Sequence, residues 1–164
     1  MSISPQKRPK FQHSEITITR IVNAAPGEVF EAWLSPLLLS QWWGPRDGWR
    51  DFSTPHVEVD PTPGGIFRSC IRSPQGDDYW ARGVYSEIDA PRHLVFTHAW
   101  EDEHGEAGDE RLVIVAFAES DGKTRVTFRI DGFDSIESRD SEIEGWNECL
   151  DRLVQYFADG RREE

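Results

Sequence analysis

The last stretch of the chain, from Asp140 to Gly160, limits what this sequence can fold into more than any other stretch. Its large apolar residues recur at the spacing of one helix face; they are Trp146, Cys149, Leu150, Leu153, Val154 and Phe157. Ser141 and Glu144 have the spacing of a capping box, and Gly160 is a typical helix end. The sequence therefore predicts one long amphipathic helix, whose apolar face must pack against another layer.

Short strands predicted between residues 55 and 131 supply that layer. Alternating apolar and polar residues, separated by turns rich in Pro and Gly, predict strands at 56–60, 66–72, 79–89, 94–101, 111–119 and 123–131. The segment Ser120-Asp121-Gly122 predicts a hairpin turn, and 101–109 an acidic hairpin loop. Strands joined by tight turns form an antiparallel meander.

The beginning of the chain predicts one strand and two short helices. Residues 14–23 alternate as a strand, which is left to pair with the last strand. Pro26 suits the first position of a helix, and Ser35 suits the cap of a second helix that ends at Gly44-Pro45. Residues 45–54 have no clean periodicity, so we expect a loop there.

Length and composition favour one domain. At 164 residues the chain is long enough for one good core, so we expect a single domain over residues 14–160, a disordered lead at 1–13 and a tail at 161–164. The net charge of −12 argues against nucleic acid or an anionic membrane as a partner. We expect a cytoplasmic protein because no apolar signal region is present, and therefore reduced thiols at Cys70 and Cys149.

Four stretches of sequence together resemble a known family. They are Thr19 to Trp33, Gln41-Trp42-Trp43-Gly44-Pro45, the set Gly64 to Phe67 with Gly83 to Ile88 and Pro91 to Thr97, and Gly145-Trp146 with Leu150 and Leu153. Their order and spacing resemble the START-like superfamily, which has the helix-grip fold of the major birch-pollen allergen. Within it, the chain is most similar to the family named after the C-terminal domain of the activator of heat-shock-protein-90 ATPase.

The resemblance implies an α+β helix-grip fold with a cavity inside. In this fold a curved antiparallel sheet of about seven strands wraps around the long C-terminal helix, and two short helices lie between the first and second strands. One departure is the turn Pro61-Thr62-Pro63, where relatives often carry an Arg, so any role of that Arg does not transfer. The segment 47–54 also makes the loop after Trp43 longer than expected.

Inward strand positions and the helix face supply the candidate residues that would line this cavity and bind a ligand. They are Phe67, Trp80, Arg82, Phe96, His98, Trp100, Phe117, Phe128, Trp146, Leu150 and Leu153. The same residues would also suit a fully packed core. A slip of one residue in the strand 79–89 would replace Trp80 and Arg82 by Tyr79 and Ala81.

Arg82 and His98 are the polar members of this set. Facing inward, they would suit a carboxylate or a phenol oxygen. Alternatively, Arg82 pairs with a surface acid and His98 makes one ordinary hydrogen bond. The sequence shows no nucleophile elbow and no paired-carboxylate motif. Residues 101–104 contain metal-ligand types but favour a solvated loop, so we expect no metal and no cofactor.

Three functions follow, in order of preference. The first is binding of a small hydrophobic molecule in the cavity. The second is an enzyme of the polyketide-cyclase or hydrolase kind that uses the same cavity, with no catalytic residue identified. The third is a co-chaperone module, which ranks last because the family name comes from a longer protein with a second domain. The aromatic segment from Trp49 to Phe52 suits either a homodimer contact or a cavity lid.

Overall fold

A seven-stranded antiparallel sheet and a long C-terminal helix dominate the computed structural model, which describes residues 15–159. The elements in chain order are β1 (Glu15–Val22), α1 (Pro26–Ala32), α2 (Pro36–Trp42), β2 (Arg46–Asp47), β3 (Arg50–Asp51), β4 (Ser53–Val59), β5 (Ile66–Arg72), β6 (Asp78–Asp89), β7 (His93–Trp100), β8 (Arg111–Ser120), β9 (Lys123–Asp131) and α3 (Ile136–Ala158). The predicted lead at 1–13, Ser14, Gly160 and the tail at 161–164 lie outside the described residues.

The strand order of the large sheet is β1-β9-β8-β7-β6-β5-β4. Consecutive strands pair as a meander from β4 to β9, and β1 closes the other edge by pairing with β9, from Glu15 opposite Asp131 to Val22 opposite Thr124. The predicted helix-grip fold is confirmed, as is the pairing of the first strand with the last. None of the helices in residues 15–159 combines the length and the apolar character needed to cross a bilayer.

The two short helices form where the sequence places them. Pro26 begins α1, and the Ser35 hydroxyl caps α2 by accepting a hydrogen bond from the Leu38 N–H at 3.2 Å. The indole Nε1 of Trp42 donates to the Ala32 carbonyl oxygen at 3.1 Å, and this bond joins the end of α2 to the end of α1. The loop that follows positions Trp43 and Gly44 against α3.

The C-terminal helix begins earlier than the sequence predicted. The cap is Ser135, whose hydroxyl accepts from the Ser138 N–H at 3.0 Å, and helix α3 starts at Ile136. The expected capping box at Ser141 is wrong, because the Ser141 hydroxyl lies within the helix and donates to the Ser138 carbonyl at 2.8 Å. The first turn of α3, from Ile136 to Arg139, contains only one apolar residue. No apolar periodicity therefore marks this turn in the sequence.

The segment expected to be a loop contains a small hairpin. Strands β2 and β3 pair through Arg46 opposite Asp51 and Asp47 opposite Arg50, and Gly48 takes a positive φ of 66° in the turn between them. Both strands are polar and only two residues long, which is too short for an alternating pattern to show. The prediction of a loop over residues 45–54 was wrong at these four residues and also at Ser53 and Thr54, which begin β4.

Aromatic side chains from the sheet, from α3 and from the two short helices pack together in one buried core. Edge-to-face pairs include Trp33–Trp42, with ring centroids 4.8 Å apart, and Trp43–Phe67, at 5.6 Å. Such pairs contribute about 0.5–1.5 kcal/mol each beyond the burial of their surface. The centre of the predicted cavity is therefore a packed core, and open space remains at one end of the helix.

Candidate functional site

A pocket of about 170 Å³ lies where the N-terminal half of α3 meets the sheet. Its lining comes from the loop after α2, from β5, from the end of β7 and from α3: Trp43, Gly44, Pro45, Ile71, His98, Trp100, Ser141, Glu142, Gly145, Trp146 and Cys149. An engineered cavity of about 150 Å³ holds benzene, whereas drug-sized ligands occupy about 300–1,000 Å³. The pocket therefore has room for one aromatic ring or a group of that size.

Three indole rings surround His98 at this pocket. The ring centroid of His98 lies 5.2 Å from that of Trp146 and 5.1 Å from that of Trp100, and Trp43 lies 5.7 Å from Trp146. The Trp146 Nε1 donates to Glu142 Oε1 at 3.0 Å, which fixes the indole in its orientation. Flat, rigid rings of this kind suit an aromatic or aliphatic ligand, because they present apolar faces with little conformational freedom to lose.

His98 is the buried polar side chain of the pocket. It is 1% exposed, and its Nδ1 has no hydrogen-bond partner among the described residues. Burial, together with a smaller effect of the positive charge of Arg111, lowers the pKa of His98 to about 4. The imidazole is therefore neutral at pH 7, with one N–H donor and one acceptor nitrogen.

Arg111 is an inward-facing cation that the sequence analysis missed. It lies directly across the strand pair from His98, and its guanidinium is 4.4 Å from the centroid of the Phe133 ring. Its Nη1 donates to the Gly132 carbonyl at 3.3 Å, and its Nη2 lies 3.9 Å from Glu142 Oε2. The sequence could have shown that Arg111 faces inward, because Arg111 lies an even number of residues before Phe117 in the same strand, and Phe117 was correctly placed inside.

Arg82 does not face the cavity, and this expectation was wrong. Positions Ala81, Gly83 and Tyr85 of β6 point inward, whereas Arg82 is exposed. Its Nε lies 4.0 Å from Glu101 on the outer face of the sheet, so the alternative of pairing with an acid outside the cavity describes it better, although the Glu101 side chain itself is covered and not at the surface. Its two inward neighbours, Ala81 and Gly83, have small side chains. The sequence therefore does not show which residues of β6 face inward.

Trp80 also lies on the outer face of the sheet. Its ring lies under the guanidinium of Arg68, 4.1 Å from ring centroid to Cζ, and Arg68 in turn donates to both oxygens of Glu101 at 2.8 and 2.9 Å. This arrangement covers part of the outer surface and does not reach the pocket. The expectation that Trp80 lines the cavity was wrong for the same reason of strand parity.

The other candidate residues divide between the pocket and the core. His98, Trp100 and Trp146 line the pocket, and Trp100 at its rim is 37% exposed. The remaining six are buried in the core and do not reach the pocket: Phe67, Phe96, Phe117, Phe128, Leu150 and Leu153. The alternative of a packed core therefore describes these six residues.

Two buried groups of α3 hold the loop after α2 in place. Arg152 donates through Nη1 to the Gly44 carbonyl at 3.0 Å, and through Nη2 to the Gln41 carbonyl at 3.4 Å. The Gly44 N–H donates to the Cys149 sulfur at 3.3 Å. Burial raises the pKa of the Cys149 thiol to about 11, so it is protonated at pH 7 and a poor nucleophile. These bonds fix one side of the pocket.

The acidic loop shows no metal site. Asp102 accepts hydrogen bonds from the backbone N–H groups of His104 and Glu106, as in a local turn. No group of three His, Cys, Asp or Glu side chains that could hold a metal ion occurs in residues 15–159. Cys70 and Cys149 are both free and buried.

Comparison with known proteins identifies the family. The sequence model of the family described as "Activator of Hsp90 ATPase homolog 1-like protein" matches residues 23–158. The chain belongs to this family. The resemblance stated from the sequence is thereby confirmed, and the fold is that of a START-like domain. Among curated proteins, none matches this chain significantly.

Solved structures of similar proteins share the fold of this family member. The crystal structure of the AHSA1 protein from Silicibacter pomeroyi is 26% identical, with a TM-score of 0.77 over 88% of this chain and 98% of that chain. A protein from Arthrobacter aurescens is 23% identical, with a TM-score of 0.79 over 91% of this chain and 88% of that chain. Protein Ms6760 from Mycobacterium smegmatis is 22% identical, with a TM-score of 0.75 over 91% and 94% of the two chains.

Proposed function

We propose that this protein binds a small hydrophobic or aromatic molecule in the pocket between α3 and the sheet. The observation that carries the proposal is a pocket of about 170 Å³ with three indole rings around one buried, neutral histidine. Predominantly apolar walls with a small number of polar groups are typical of sites that recognise small organic ligands.

The size of the pocket limits the affinity of a probe that fills it alone. A one-ring molecule has about seven heavy atoms and is expected to bind with a Kd of about 0.1–1 mM. A larger natural ligand would place one ring or a branched alkyl end in the pocket and extend outward past Trp100, which is partly exposed at the rim. The extra contacts would then account for tighter binding.

Gly145 offers a way to close the pocket without touching its aromatic rings. It lines the pocket within α3, and a Cβ placed on it would lie 3.7 Å from the Pro45 Cβ. A leucine at this position would therefore extend into the pocket mouth, and leucine is a good helix former. Glu144, exposed on the same helix, provides the matched control.

The test measures binding of toluene and 4-methylphenol by two-dimensional NMR to the wild type, Gly145→Leu and Glu144→Leu. We expect saturable shifts at pocket residues in the wild type and in Glu144→Leu, and at least tenfold weaker binding in Gly145→Leu. The proposal fails if the wild type shows no saturable shift with either probe. It also fails if Gly145→Leu binds both probes as the wild type does.

The alternatives drawn from the sequence stay predictions. For an enzyme, His98 is a weak base, because burial lowers its pKa to about 4, and the outward direction of Arg82 removes its expected partner. For a co-chaperone module, no described feature of the surface favours a chaperone partner. A homodimer and a cytoplasmic location likewise stay predictions.

A further inference from the structure

The polar side chains of the pocket differ in how far their hydrogen bonds are already made. Within the described residues, the Ser141 hydroxyl donates to the Ser138 carbonyl, and Glu142 accepts from the Trp146 indole. The Cys149 sulfur accepts from the Gly44 N–H. By contrast, His98 has a buried Nδ1 that finds no hydrogen-bond partner within residues 15–159. A buried polar atom without a partner usually marks strain, an unplaced water or a ligand contact.

We propose that the preferred ligand carries a neutral hydroxyl on its ring, as a phenol does, and that this hydroxyl hydrogen-bonds with His98. The inference rests on the proposed function, since it names the chemical class bound at the same site. A neutral imidazole offers one donor and one acceptor, and a phenol hydroxyl can serve as the partner of either. The ring of the phenol would lie among Trp43, Trp100 and Trp146.

The charges around the pocket disfavour an ionised ligand group. Glu142 lines the pocket, accepts from the Trp146 indole and lies 3.9 Å from Arg111. Arg111 does not line the pocket, and its buried Nε has no hydrogen-bond partner among the described residues. A carboxylate would meet the negative charge of Glu142 and a neutral His98, whose single N–H can donate a hydrogen bond but carries no compensating positive charge. An ammonium group would lose its hydration beside Arg111 and find Glu142 already paired. In either case the cost of dehydrating a charge has little compensation in this pocket.

The hydroxyl is tested by comparing probes that differ by one group. Toluene, 4-methylphenol, 4-methylbenzoate and 4-methylbenzylamine are titrated into the wild type and into His98→Phe at pH 7.5. Because the probes differ in hydrophobicity, the informative quantity is the ratio of the toluene Kd to the 4-methylphenol Kd. We expect this ratio to be about three- to tenfold lower in His98→Phe than in the wild type, as for the loss of one neutral hydrogen bond.

A second measurement needs no variant. Addition of 4-methylphenol to the wild type should shift the imidazole ¹⁵N resonances of His98, and addition of toluene should leave them nearly unchanged. The exposed ring of His104 is the internal control, and it should shift with neither probe. This measurement tests the contact directly if His98→Phe fails to fold.

The outcomes separate this inference from the proposed function. If no probe binds the wild type, the proposed function fails, and this inference fails with it. If toluene and 4-methylphenol both bind but neither the ratio nor the His98 resonances respond, the pocket is a purely apolar site and this inference alone is refuted. Tighter binding of the benzoate or the benzylamine than of 4-methylphenol also refutes it. So does a ratio that falls in Glu142→Gln and not in His98→Phe.

Discussion

The burial of His98 should make the stability of the protein depend on pH. Burial lowers the pKa of His98 to about 4 in the folded protein, against an ordinary value of 6.5 in the unfolded chain. Between these two values the unfolded chain binds a proton that the folded protein does not bind. The stability is therefore complete above about pH 6.5 and falls as the pH drops through 6.5 toward 4.

The size of the effect follows from the difference between the two pKa values. Each pKa unit corresponds to about 1.4 kcal/mol, so the full loss approaches about 3 kcal/mol. Between pH 7.5 and pH 5 the linkage relation gives a loss of about 2 kcal/mol from this one group. Replacement of His98 by Phe keeps a ring of similar shape and removes the titrating group, so this loss should disappear.

The assay is urea denaturation of the wild type, His98→Phe and His104→Phe at pH 7.5 and pH 5. The carboxylates and Arg111 are present in all three proteins, so their contributions cancel in the comparison. The decrease in the free energy of unfolding should be about 2 kcal/mol smaller in His98→Phe than in the other two. An equal decrease in all three proteins would refute the burial of a neutral His98 at this site.

Three further substitutions test the packing around the helix. Trp146→Ala should lower the free energy of unfolding by about 3–5 kcal/mol in urea denaturation, because the indole is 7% exposed, while Trp49→Ala, at 87% exposure, should change it by less than about 0.5 kcal/mol. A loss below about 1 kcal/mol for Trp146→Ala would contradict the packing of α3 on the sheet. Gly145→Ala should raise the free energy of unfolding by about 0.5–1 kcal/mol, because it removes a helix-interior glycine and the new Cβ makes an ordinary contact; a net loss would mean that the backbone there is strained. Gly83→Ala should cost about 3 kcal/mol or more in thermal denaturation, since its Cβ would lie 1.7 Å from the Thr97 carbonyl oxygen, and a Tm close to that of the wild type would show that the strands approach less closely.

Local sequence signals were sufficient for most of the fold. Ser35 before Pro36 predicted the second helix and its cap, and the segment 120–122 predicted the hairpin between β8 and β9. The alternation in these strands was strong because one face is apolar and the other polar. Propensity, pattern and turn chemistry agreed at these positions, and such agreement is what makes a prediction from one sequence reliable.

The pocket was harder to predict because it depends on distances between elements that are far apart in the chain. The sequence identified a large aromatic set but not which members pack against each other and which face open space. The sequence placed Trp43 within the second helix. In the structure Trp43 follows the end of α2 with an extended backbone, and its ring lies 6.5 Å from that of His98. Arg82 was wrongly placed inside because strand parity in β6 rests on small residues, and a shift of one residue exchanges the two faces.

The pairing of β1 with β9 has a consequence for how the chain folds during synthesis. Arg20 in β1 donates to Asp151 in α3 at 2.8 Å, across 131 residues of sequence, and the partner strand β9 begins only at Lys123. At roughly 5–20 residues per second, Ile16 and Ile18 wait about 6–25 seconds before their partners have been synthesised. Such long-range contacts slow folding and leave an unpaired strand open to aggregation. The first strand of the nascent chain is thus expected to stay unpaired until β9 and α3 have been made.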